Sequence, residues 1–216
     1  MSFACRAATN SLATNDNLVR WGKKSNSNCE LCGNKATLCH VINSCQKMLT
    51  DGRYTWRHDN ILHALAKVIS ENRKEHITLS VDIPKFQING GTIPSNILQT
   101  SQRPDLVAID TSTTPTTVLI YELTCPFKGS NLDNAHAFKE EKYASLVSDI
   151  EDRGFSCILV CFEIGSRGFI PRRVQLALCS LLFKTSKLTN PSKFMKYLSK
   201  ISLLSSYSIF HARKSP

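Results

Sequence analysis

Apolar positions change their period several times along the chain, and each change marks an element. Between about residues 56 and 73, Ile61, Leu62, Leu65, Val68 and Ile69 recur at three- and four-residue steps, the signature of one helix face. Asp59 or Asn60 is then the expected cap of that helix. Residues 77–83 (ITLSVDI) alternate as a half-buried strand does. Residues 84–102 hold Gly90, Gly91 and Pro94 and read as a connection with at most a short strand. Two apolar runs follow, DLVAID at 105–110 and TVLIYEL at 117–123, with Pro115 among threonines between them. That arrangement predicts a hairpin or tight connection.

A helix is expected over about 131–153, carried by Ala135, Phe138, Leu146, Val147 and Ile150 and ended by Gly154. FSCILVCFEI at 155–164 is a continuous apolar run and predicts a buried strand. Pro171 can open a helix through Leu182, and another is expected over about 191–205. Residues 1–28 are polar and read mostly as loop, with a short element near 18–21. The order helix, three strands, helix, strand, helices predicts an α/β fold with a mixed central sheet.

Composition fits that picture. Hydrophobic residues make up 42% of the 216, enough for a real core. No apolar run approaches the ~18 residues of a membrane helix, and residues 1–20 lack an apolar signal core. No membrane is expected, and the location is expected to be intracellular, nuclear or cytoplasmic. Charge is less ordinary. Lys plus Arg is 27 against 17 for Asp plus Glu, and no acidic residue follows Glu163. The net +10 therefore sits in the last quarter of the chain, where a basic surface can neutralise phosphates. Arg167, Arg172 and Arg173, just past the last strand, are candidate grips on a nucleic-acid backbone.

Nine cysteines without a leader point to a reducing compartment, not a disulfide framework. Cys29, Cys32, His40 and Cys45 follow C-x2-C-x7-H-x4-C, a spacing suited to a closed tetrahedral zinc shell. Cys39 adjoins His40 and is an alternative third ligand. Four ligands leave no open position, so this zinc is expected to be structural. Cys125, Cys157, Cys161 and Cys179 are read as small core residues.

A second constellation joins Arg103-Pro104-Asp105 to Glu122-Leu123-Thr124. If both runs are strands of one hairpin, the two carboxylates meet near one end and can hold Mg²⁺ or Mn²⁺. Such an ion polarises a phosphate oxygen and activates water. Thr124 occupies the place where a lysine is wanted, but the next helix offers Lys139 and Lys142, with Tyr143 four residues from Lys139.

CELC…CHVINSC, RPDLVAID, VLIYELT, AHAFKEEKY and FEIGSRG together resemble the C-terminal part of non-LTR retrotransposon proteins that carry a restriction-like endonuclease. There a CCHC zinc motif precedes a PD-(D/E)xK nuclease with a restriction-endonuclease-like αβββαβ core. The resemblance spans about residues 17–182. It implies that Asp105 and Glu122 hold the catalytic metal, with the Leu123 carbonyl as a third ligand. It also implies that Lys142 is the migrated catalytic lysine, with Lys139 and Tyr143 in support. The reaction would nick DNA for primed reverse transcription, with element RNA and a reverse transcriptase in a longer polyprotein as further partners. The same residues fit a rival, a zinc-containing nucleic-acid-binding remnant whose nuclease site is inactive. The organisation expected is a polar segment at 1–28, a zinc unit at 29–52, a nuclease-like unit at 53–182 and a basic helical tail at 183–216.

Overall fold

The computed structural model describes residues 2–127 and 132–214, with the backbone alone for 132–135. The expected helix start at Asn131 and the side chain of Ala135 lie outside the described residues. Four strands form one mixed sheet in the order β1-β2-β3-β4: β1 Ile77–Val81, β2 Leu106–Asp110, β3 Thr117–Thr124 and β4 Ser156–Glu163. β1 and β3 both run antiparallel to β2, and β4 runs parallel to β3. The hairpin expected around Pro115 is the β2–β3 pair. Residues 84–105 form no named strand; they send Ile97 and Leu98 into the core.

The alternation of each strand sorts its side chains into two layers. Val107, Ile109, Val118 and Ile120 face α5 (Leu132–Glu151), which answers with Tyr143, Leu146 and Ile150. Leu106, Ala108, Leu119, Tyr121 and Leu123 face the other way, onto α4 (Arg53–Glu71), α6 (Arg172–Thr185) and α7 (Pro191–His211). Two expectations change here. Phe138 is 65% exposed, so the buried stripe of α5 runs through Tyr143, Leu146 and Ile150, not through Phe138. β4 is an outer strand of the sheet, half-buried over its first five residues and fully buried only at its end.

α4 starts three residues before its expected beginning at Trp56 and ends at Glu71, with Gly52 at its N-cap in the left-handed region (φ +73°). Asp59 and Asn60 therefore lie inside the helix and do not cap it. Its first turns are held by packing, with Tyr54 and Arg57 both buried. The N-terminal segment also carries more structure than its polarity implies. Ser2 caps α1 (Phe3–Ala8) and Thr14 caps α2 (Asn15–Arg20) through their hydroxyl oxygens.

A second core gathers Ala7 and Leu12 with Cys29, Leu38, Val41, Ile42, Met48 and Tyr54. It includes Ile209 and Phe210 from the end of α7, whose Phe194, Met195 and Leu198 belong to the main core. The basic C-terminal helix is thus packed into both cores.

Candidate metal centres

The zinc-type cluster is built locally. Asn28 and Lys35 form a single bridge, Cys29 N–H donates to the Asn34 carbonyl at 2.7 Å, and Gly33 turns the chain at φ +77°. A left-handed turn of this kind suits glycine, and it brings Cys29 and Cys32 to one point. A π-helical turn, His40–Ser44, then leads into α3 (Gln46–Thr50) and supplies His40 and Cys45. The Tyr54 hydroxyl accepts from Cys45 N–H at 3.0 Å and reaches the His40 and Val41 carbonyls of that turn.

The ligand atoms of Cys29, Cys32, His40 and Cys45 lie within 4.8 Å of one another. Cys29 Sγ and Cys45 Sγ are 3.9 Å apart, close to the ~3.8 Å edge that Zn–S bonds of about 2.3 Å require. Cys32 Sγ lies 3.2 Å from His40 Nε2. His40 completes the set, and Cys39 stands outside it. Burial lowers the His40 pKa, which keeps the imidazole neutral as a ligand must be. Burial and the neighbouring thiols push Cys45 up to about 11, a crowding that a bound cation would relieve. The donor set and its spacing fit zinc.

The acidic cluster is built from four distant segments. Extending the β2–β3 register by one pair sets Asp105 opposite Glu122, on the face toward α5. The two carboxylates are interlocked through the backbone. Asp105 N–H donates to Glu122 Oε1 at 2.9 Å, and Leu123 N–H donates to Asp105 Oδ2 at 2.7 Å. Lys139, from α5, donates to Glu122 Oε2 at 2.6 Å. Lys142, the expected catalytic lysine, does not reach either carboxylate. Its Nζ donates to the Tyr143 hydroxyl at 2.8 Å and lies 4.4 Å from that ring's centroid. The reason is helical phase. Tyr143 is buried against the sheet, Lys139 lies four residues before it on the same stripe, and Lys142 lies about 100° around the helix.

His58 belongs to the Arg57-His58-Asp59 run, whose sequence reads as a helix cap in preference to catalysis. It projects from α4, with Nε2 3.2 Å from Asp105 Oδ2 and Nδ1 3.2 Å from Asp59 Oδ1. Reading Asp59 as a cap hid it. Placing the start of α4 earlier would have put His58 on a helical turn facing the Asp105 strand end. Asp82 also lies at this end of the sheet, but Arg103 and Gln87 hold it. Glu163, fully buried at the end of β4, is held by His136 Nδ1 at 2.9 Å and Arg173 at 3.3 Å.

Electrostatics distinguish the two carboxylates. Burial works against the Asp105 charge, but His58 and the Leu123 amide outweigh it and hold the pKa below the usual value. Burial and the Asp105 charge raise Glu122, against the pull of Lys139. Burial opposes the Lys139 charge, yet its contact with Glu122 prevails and keeps the ammonium protonated above its ordinary range. His58 is likewise lifted to about 10, since Asp105 and Asp59 overcome its burial.

Of the expected phosphate grips, Arg167 turns inward to the Ala7 carbonyl at 3.3 Å and stacks 4.5 Å from the Phe127 centroid. Arg173 is engaged by Glu163, and Arg172 lines a surface groove. Among the described residues no helix is long and apolar enough to cross a membrane.

No protein-family model matches the chain, and no curated protein sequence matches it. Among solved structures, the chain is similar to an N-terminal domain of a reptarenavirus L protein at 16% identity. The match covers 77% of this chain and 92% of that one, with a TM-score of 0.34.

Proposed function

We propose that the chain is a metal-dependent DNA endonuclease of the PD-(D/E)xK type, and that it derives from a non-LTR retrotransposon protein. One observation carries the enzymatic reading: Asp105 and Glu122 face each other at the ends of adjacent strands, with a lysine seated on the second acid. Two carboxylates on one sheet face form a hard oxygen donor set, which fits a divalent cation such as Mg²⁺ or Mn²⁺. The N–H and C=O of one strand residue point to the same side, so the Leu123 carbonyl shares the Asp105 side with its amide. Such an ion would polarise the scissile phosphate and lower the pKa of a bound water.

The chain's own groups do the rest. Lys139, held charged, is a donor and electrostatic partner for the anionic transition state and not a proton acceptor. Glu122 fixes the Lys139 ammonium, and the Leu123 amide fixes the Asp105 carboxylate. Lys142 supports Tyr143, whose hydroxyl faces the Arg103 carbonyl at 3.4 Å, beside Pro104. The zinc unit braces this end of the sheet, because Asn43 donates to the Cys125 carbonyl at 2.7 Å, directly after β3.

A second reading, the inactive nucleic-acid-binding remnant, is favoured by His58. A protonated imidazole on Asp105 can replace a metal as the internal counter-charge. The experiment that separates the two is nicking of supercoiled plasmid with Mg²⁺ or Mn²⁺, beside an Asp105→Ala control that retains zinc. The nuclease reading predicts nicking by the parent and none by the control. Salt-sensitive DNA binding by both proteins without nicking would establish the remnant.

A further inference from the structure

On the side of the sheet away from α5, an open groove of about 500 Å³ runs between α6 and α7. Phe169, Arg172, Gln175, Leu176, Met195 and Lys196 line it. Its charge is one-sided. Arg172 and Lys196 stand in it, and no carboxylate is found among the described residues that line it. Two apolar side chains stand open beside these charges, Phe169 at 63% exposure and Leu176 at 57%.

The exposed ring sits on a fixed loop. Gly165 N–H donates to the Phe169 carbonyl and Gly168 N–H to the Gly165 carbonyl, each at 2.8 Å. From α7, the Ser202 hydroxyl donates to the Gly165 carbonyl and the Ser199 hydroxyl to the Gly168 carbonyl. Gly168 adopts φ +81°, and a Cβ there would fall 2.9 Å from the Ser199 carbonyl oxygen. Only glycine lets the loop approach α7 so closely. The backbone thus holds Phe169 in place while its ring stays outside the core. A ring held this way can stack on a ligand at little ordering cost.

Cations without carboxylates are complementary to a polyanion, and an exposed aromatic face beside them is complementary to an unpaired base. A duplex hides its base faces in the stack, so it would use the charges and leave the ring idle. A chain of neighbours ties the groove to the strand that carries Glu122. Arg172 adjoins Arg173, which holds Glu163, and Glu163 pairs across the sheet with Thr124, two residues beyond Glu122.

We propose that the α6–α7 groove binds an unpaired DNA strand, with Phe169 stacking on a base and Arg172 and Lys196 contacting flanking phosphates. The choice of DNA over RNA rests on the DNA-cleaving reading of the acidic site; the stacking and the charge complementarity do not.

Fluorescence anisotropy on the full zinc-loaded chain, without added divalent metal, tests this. The probes are a labelled DNA strand of about twelve nucleotides, its duplex, and the RNA strand of the same sequence. Phe169→Ala should weaken single-strand binding about 5- to 100-fold, Phe169→Trp should restore it, and duplex affinity should change less than about twofold. An Arg172→Gln, Lys196→Gln double variant should reduce the salt slope for the single strand by about 1.4. Single-strand binding that is unchanged in both variants would overturn the proposal. So would displacement of the strand by an acidic peptide with equal sensitivity to Phe169→Ala, which would make the groove a peptide site. An RNA strand bound more tightly through the same residues would overturn the assignment to DNA. A parent that fails to nick plasmid would remove the nuclease reading and its argument for DNA, and would leave the binding series, read without cleavage, to decide the groove.

Discussion

The two candidate metal centres differ in how the chain assembles them. The zinc-type cluster draws every ligand from residues 29–45, and a knuckle and one π-helical turn bring them together. The acidic cluster draws His58 from α4, Asp105 from the residue before β2, Glu122 from β3 and Lys139 from α5. The first exists wherever its short segment closes on an ion. The second exists only when the sheet has its register and two helices have packed on opposite faces. A local cluster is therefore expected to fail by unfolding its own segment. A long-range cluster should fail by losing chemistry while its fold persists.

The largest effect should come from breaking the local cluster. Cys45→Ala removes a buried ligand from a site whose zinc can contribute on the order of 10 kcal/mol to folding. Hydrogen exchange should show residues 29–54 losing protection first, while the β2–β3 hairpin stays protected longer. Equal and simultaneous loss of protection in both regions would erase the distinction.

A next comparison sharpens the long-range cluster. Lys139→Met should lower the nicking rate about 100- to 1,000-fold, the scale of losing one preorganised transition-state donor. Lys142→Met should lower it less than about tenfold, because Lys142 reaches Tyr143 and not the carboxylates. The reverse ranking in single-turnover rates would restore Lys142 to the catalytic place that the family resemblance implies.

Arg57, beside His58 on α4, ties that helix to the zinc unit and to α7. Its guanidinium donates to the Ile42 carbonyl at 2.7 Å and to the Ser206 hydroxyl at 3.1 Å, inside the core beside the zinc unit. Arg57→Met should destabilise the protein by roughly 2–3 kcal/mol, read as a shift in urea midpoint at unchanged slope. A shift near zero would show that these bonds do not hold α4 to the zinc unit and α7.

The smallest effect is a pH dependence. His58 has a folded-state pKa raised from the usual 6.5 to about 10 by Asp105 and Asp59 acting against its burial. A raised pKa stabilises the fold fully below 6.5, and that contribution fades as pH climbs toward 10. In zinc-loaded protein without magnesium, the stability gap between parent and His58→Asn should be widest near pH 6 and closed near pH 10. A gap that widens with pH would mean that His58 is neutral on Asp105.

What the sequence disclosed follows the same division. The zinc spacing, the β2–β3 hairpin and the α5 and α7 helices were legible because each rests on local spacing or periodicity. Which of Lys139 and Lys142 reaches Glu122 was not, since they lie three apart on one helix and the preference for Lys142 comes from the family resemblance and not from spacing. Tyr143, Leu146 and Ile150 define the true phase, and they point to Lys139. The early start of α4 was hidden because arginine is seldom buried, so Arg57 did not read as a core position. His58 was lost with it. Segment 1–28 read as loop because its helices are only 6 residues each, too short to show a period.

Everything proposed for the acidic cluster requires that it bind a divalent cation separately from the zinc unit. Manganese binding to the zinc-loaded protein, followed by electron paramagnetic resonance beside a zinc assay, tests it directly. One bound Mn²⁺ is expected in the parent, lost in Glu122→Gln while the zinc content is unchanged. A parent that retains zinc and binds no Mn²⁺, or a Glu122→Gln protein that binds it as well as the parent, would show that Asp105 and Glu122 do not form a metal site.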